Sequence, residues 1–141
     1  MGNSNSFPYK TFSYKDVQNC IQHKENCIII STMNASEQNC LIQYTCDIQK
    51  EEEIINHHLN TNKSIQICIY GKHSVDTSVF KKYEQLNSLG FHNVFIYTGG
   101  LFEWLCLQDI YTSQFFPTTF TPLDILDYSP NVYNSYRLSY I

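Results

Sequence analysis

Apolar residues along this chain follow two alternating kinds of pattern. Three short stretches are apolar at nearly every position: Cys27 to Ile30, Ile65 to Tyr70 and Val94 to Tyr97. Continuous runs of this length mark strands buried on both faces of a parallel sheet. Around them apolar residues recur at helical spacing. Val17, Cys20 and Ile21 lie at i, i+3 and i+4, which predicts a helix from Ser13 to about His23, Ser13 its N-cap and Asp16 closing a variant capping box. Ile54, Ile55, His58 and Leu59 predict a second helix, and Val79, Tyr83, Leu86 and Leu89 a third that Gly90 stops. Trp104, Leu105, Cys106, Leu107, Ile110 and Tyr111 predict a fourth, ended by Phe115-Phe116-Pro117. Ile42, Cys46 and Ile48 stand at strand spacing. Strand, loop, helix and strand in succession is the right-handed crossover of a parallel sheet. The expected architecture is α/β, a central, mostly parallel five-stranded sheet with helices on both faces.

The polar segments refine this picture. Ser31 to Asn39 reads as a loop or short helix at the carboxyl end of a central strand, where open α/β sheets build their pockets. Lys50-Glu51-Glu52-Glu53 reads as a solvated helix start, its acids favoured by the macrodipole, and not as a catalytic carboxylate pair. The chain has 141 residues, enough for one core. It divides into a polar leader (1–10), one domain (11–119) and a Tyr- and Asn-rich tail (120–141) expected on the domain surface.

Composition removes several functions. Aromatic residues at 15% argue against disorder, and a net charge of −4 gives no footprint for nucleic acid. The six cysteines include no Cys-x-x-Cys pair, and the neighbouring His57 and His58 point different ways on a helix, so neither a metal nor a cofactor is expected. No apolar leader and no long apolar span predict a cytoplasmic chain with reduced thiols. Met1-Gly2-Asn3-Ser4-Asn5-Ser6 fits the N-myristoylation pattern as well as it fits a plain polar leader. A single acyl chain on Gly2 would give only weak, reversible membrane association.

The stretch from Ile65 to Trp104 carries a resemblance. A buried strand ending in Tyr70, the six-residue loop Gly71-Lys72-His73-Ser74-Val75-Asp76, a helix closing on Leu89-Gly90-Phe91, a strand, and then Gly99-Gly100-x-x-x-Trp104 resemble the second half of a rhodanese-like domain. Phe116-Pro117-Thr118-Thr119 after that motif resembles a variant group found in large DNA viruses. The first half departs from the family. Ser31-Thr32-Met33 stands where Asp-x-Arg is usual, and Cys40 to Thr45 replaces a Gly-His-Ile-Pro-Gly-Ala pattern, keeping only Ile42 and the length.

The resemblance implies a sulfurtransferase fold whose catalytic cysteine opens the loop, and here that position is Gly71. Glycine has no side chain to carry a persulfide. The sixth position, where the family often has Arg or Thr, is Asp76, which opposes a second anion and suits an N-cap for a helix starting at Thr77. The expected function is a catalytically inactive module that binds a protein or a small anion, with Lys72 and His73 attracting the anion. The alternatives are a thiosulfate or mercaptopyruvate sulfurtransferase that recruits a displaced cysteine, and a structural component of a larger assembly. The weak nucleophile candidates are Cys40, whose loop should lie near the pocket, Cys68, three residues before the loop, and Ser74.

Overall fold

The computed structural model describes residues 7–130; Gly2 and the tail beyond residue 130 lie outside the described residues. Four strands and four α-helices alternate: β1 (Thr11–Phe12), α1 (Tyr14–Gln22), β2 (Cys27–Ser31), α2 (Glu51–Thr61), β3 (Gln66–Tyr70), α3 (Ser78–Ser88), β4 (Val94–Tyr97) and α4 (Gly100–Tyr111). The strands pair in the order β1-β4-β3-β2, every pair parallel.

The side chains of each strand alternate between two cores, as the pleat requires. Cys27 and Ile29 of β2, Cys68 and Tyr70 of β3, and Tyr97 of β4 face α1 and α4, packing on Val17, Cys20, Leu101, Trp104 and Leu105. Ile28, Ile30, Ile67, Ile69, Val94 and Ile96 face α2 and α3, against Ile55, Val79, Tyr83 and Leu86. Two-sided burial is why these strands read as unbroken apolar runs. The capping box also forms, the Asp16 carboxylate accepting from the Ser13 N–H at 2.8 Å.

The expected fifth strand does not form. Residues 42–45 make a tight turn in which Thr45 donates to the Ile42 carbonyl through both its N–H, at 3.0 Å, and its hydroxyl, at 2.6 Å. Tyr44 sits at φ 68°, and the Ile42 N–H goes to the buried Tyr70 hydroxyl at 3.1 Å. These groups are therefore spent locally and unavailable to a ladder. What remains of strand pairing is two single bridges, Ile29 to Thr45, with the Cys46 N–H on the Ile29 carbonyl, and Ile42 to Thr118, antiparallel. Burying the Ile42 side chain completely is worth about 1.5–3 kcal/mol, against about 0.5–1.5 kcal/mol for a net hydrogen bond. The anchored side chain thus outweighs the missing rungs, and the segment stays in place as a turn.

Smaller departures have local causes. α4 stops at Tyr111, before Phe115, because Thr112 turns left-handed at φ 87°. Leu89 lies past the end of α3 and is exposed. Packing reaches to both sides of 11–119. Tyr9 packs on Phe80 and meets Tyr83 edge-on, and a short 3-10 turn at Ile125–Tyr128 lays Ile125 and Tyr128 on the core. Among the described residues no helix is long and apolar enough to cross a membrane.

Candidate functional site

At the carboxyl end of β3 the chain leaves the sheet at Gly71 and enters α3 at Ser78, so the six-residue loop meets a helix N-terminus as expected. Two other parts of the sequence hold it there. The first turn of α4 donates upward, Leu101 N–H to the Gly71 carbonyl and Phe102 N–H to the Lys72 carbonyl, both at 2.9 Å. The Gly99-Gly100 pair permits that approach. Gly100 has φ +70°, and a Cβ there would lie 2.9 Å from the backbone N and Cα of His73. Trp104, wholly buried, fixes the same helix by donating from Nε1 to the Pro117 carbonyl at 3.1 Å.

One donor of the loop, the Lys72 N–H, and two of Ser78 turn onto Asp76. Its Oδ2 accepts from the Lys72 N–H at 2.9 Å, while Oδ1 accepts from the Ser78 N–H at 3.0 Å and the Ser78 hydroxyl at 2.7 Å. The expectation that Asp76 caps a helix starting at Thr77 is corrected by one residue, since α3 starts at Ser78 with Thr77 before it. The bond to the Ser78 N–H satisfies one of the helix's free donors all the same. The second oxygen has a different place. A Cβ on Gly71 would stand 2.6 Å from Oδ2 and 2.9 Å from Cγ, so the carboxylate occupies the volume that a side chain at position 71 would need.

Burial pushes the Asp76 carboxyl upward, but the hydrogen bonds from the Lys72 N–H and from Ser78, with His73 nearby, bring it below its ordinary value. A depressed folded-state pKa stabilises above the unfolded-state value, and that contribution fades as pH falls through the folded-state pKa. Urea denaturation at about pH 7 and about pH 3 should therefore show a smaller acid loss for Asp76→Asn than for wild type. Equal losses would remove Asp76 from the acid limb.

A cleft of about 470 Å³ opens beside the loop, walled by Met33, Asn34, Glu37, Lys72, His73 and Asp127 among others. Its one lysine is already engaged: Lys72 Nζ is 2.9 Å from Glu37 Oε2 and 5.9 Å from the centre of the Tyr128 ring. Glu37, Asp76 and Asp127 leave the cleft richer in carboxylates than in cations. Val75 projects from the loop with 63% of its surface exposed. His73 keeps its Nδ1 buried with no hydrogen-bond partner among the described residues. A larger hollow, about 620 Å³, lies between α2 and α3, its walls tied by Lys82 and Glu51 at 2.6 Å. It touches the loop region only through Thr32, Met33 and Ser78.

Of the candidate nucleophiles only Ser74 belongs to the loop. Cys40 is fully buried, its thiol donating to the Phe120 carbonyl at 3.1 Å, and burial raises its pKa although Thr118 lowers it in part. Cys68 lies within the sheet under α1 and α4, and complete burial raises its thiol well above the ordinary value. Ser74 is exposed. The sequence did not single out Glu37, Asp127 and Ser129 as cleft residues. Its available signal was Asp124 capping a short turn, realised as Asp124 Oδ1 accepting from the Leu126 N–H at 3.0 Å.

The rhodanese-like domain family model matches residues 17–106, from α1 into α4, and the chain belongs to that family. Its fold is that of the sulfurtransferases. Among solved structures, the BH2092 protein of Bacillus halodurans is similar with TM-score 0.59 and 16% identity, over 94% of this chain and 90% of that one. The Alr3790 protein of Anabaena sp. is similar with TM-score 0.54 and 19% identity, over 82% and 84%. A thiosulfate sulfurtransferase of Pseudomonas aeruginosa is similar with TM-score 0.55 and 13% identity, over 70% of this chain and 19% of that one. At such identities the likeness shows the fold alone. Comparison with curated protein sequences finds no match.

Proposed function

We propose that this rhodanese-like domain is catalytically silent and works as a binding module, with a protein partner reading the face formed by the loop and the adjoining turn at Ile125–Tyr128. The observation that carries this reading is the Asp76 carboxylate, which takes up the Lys72 N–H of the loop and the space beside Gly71. A sulfur carrier needs a thiolate at that focus and an anionic donor next to it. Here the focus already holds a negative charge and no thiol.

The same charge disfavours a small free anion as ligand, because Lys72 is neutralised by Glu37. A displaced cysteine is disfavoured because Cys40 and Cys68 are wholly buried and burial raises both thiols, leaving each little thiolate. An acyl chain on Gly2 would add weak, reversible membrane affinity to such a module.

The test is thiocyanate production from cyanide with thiosulfate or mercaptopyruvate, on wild type beside Cys40→Ser and Cys68→Ser. The expected result is no turnover above buffer in all three. Turnover in wild type that disappears in one variant would overturn the reading and name the nucleophile.

A further inference from the structure

At the end of the sheet opposite the loop, two cysteines meet. Cys20 lies in the last turns of α1 and Cys27 is the first residue of β2. Their sulfurs are 2.7 Å apart, with Cys27 donating to Cys20, and must approach by only about 0.7 Å to reach the disulfide length of about 2.05 Å. The chain between them, residues 21–26, holds a short 3-10 turn and is exposed over most of its length, so it can adjust. The side-chain oxygen of the exposed Gln66 approaches Cys20 Sγ at 3.9 Å.

We propose that Cys20 and Cys27 are an oxidation site, converted by a peroxide into a reversible disulfide that staples α1 to β2. The Cys20 thiolate attacks one peroxide oxygen, the O–O bond breaks, and water leaves after protonation, giving a sulfenic acid. The Cys27 sulfur then attacks the Cys20 sulfur, the S–O bond breaks, and a second water leaves with the Cys27 proton. Two sulfurs together lose two electrons, and the peroxide gains them. The hydrogen bond from Cys27 lowers the Cys20 thiol and raises its own donor, which assigns Cys20 as attacker and Cys27 as resolver. Cys20 and Cys27 are themselves buried, at 2% and 8% exposure, so exposure alone would choose differently. Cys46 and Cys106 are the more open thiols, yet burial raises Cys46 to about 11 and raises Cys106 as well.

The experiment is hydrogen peroxide treatment of the reduced full chain, followed by thiol titration in denaturant and peptide mapping. The expected result is loss of two of the six thiols, a peptide joining Cys20 to Cys27, recovery of both thiols with dithiothreitol, and a higher thermal midpoint for the oxidised form. Cys20→Ser and Cys27→Ser should each abolish the link, and a Cys46→Ser/Cys106→Ser double variant should retain it. A link through any other cysteine, or sulfinic acid at Cys20 in place of the disulfide, would overturn the proposal. So would retention of all six thiols. Wild-type mapping decides even where a serine variant fails to fold.

Discussion

Gly71→Cys alone is expected to destabilise the domain by about 2 kcal/mol, the typical cost of forcing extra atoms into a filled site. The new Cβ would stand 2.6 Å from Asp76 Oδ2. Asp76 can retreat only by giving up its bonds to Lys72 and Ser78, and hydrogen bonds to a charged group are worth about 1.5–3 kcal/mol each. Combined with Asp76→Thr, the same substitution should cost less than the two singles added together, by about 1 kcal/mol or more. Urea denaturation of the four proteins measures this directly. Strict additivity would mean that residues 71 and 76 do not compete for one volume. The double variant also tests the chemistry. Without the carboxylate, the introduced thiol faces the freed Lys72 N–H, and its alkylation rate should follow an apparent pKa below the ordinary value of about 8.5. In the single variant the nearby negative charge should hold it above that value.

Gly100→Ala should cost about 3 kcal/mol. A left-handed backbone costs a residue with a Cβ about 1–2 kcal/mol, and overpacking adds about 1–3 kcal/mol. The obstructing atoms are backbone, His73 N and Cα at 2.9 Å and Gly71 O at 3.0 Å, and both belong to the loop that α4 supports. Gly90→Ala is the natural comparison. That residue also has positive φ, at 107°, but its nearest neighbour is the flexible end of Lys63, 3.4 Å away. Its loss should stay near the conformational cost, about 1–2 kcal/mol. Thermal or urea denaturation of the two variants separates them, and equal losses would show that contact between α4 and the loop adds nothing.

These positions also mark how far the sequence reached. The β2, β3 and β4 strands and all four helices were legible because two-sided burial and helical spacing leave strong patterns. The turn at residues 42–45 was not, since Ile42, Cys46 and Ile48 keep strand spacing while Tyr44 takes φ 68°, which apolar periodicity does not register. The loop's boundaries were visible from its flanking strand and helix. The inward oxygen of Asp76 was not, because the capping preference predicts only the bond toward α3. Cys40 looked like a pocket thiol from its place after a polar loop, but the chain at Phe120 returns to cover it, a contact 80 residues away in sequence. Long-range closure of this kind has no local signature.

The unformed fifth strand bears on how other chains meet this domain. Sheets with open edges invite pairing by foreign strands, which leads to aggregation or to recognition by strand addition. Here one margin, β1, is only two residues long, with Phe12 stacked on Phe95 beside it. At the other margin the turn at residues 42–45 sits against β2 and takes the Ile29 carbonyl through Cys46. Among the described residues neither border is a long open strand, since β1 is short and β2 is bridged at Ile29. Short or partly covered edges of this kind disfavour edge-to-edge pairing.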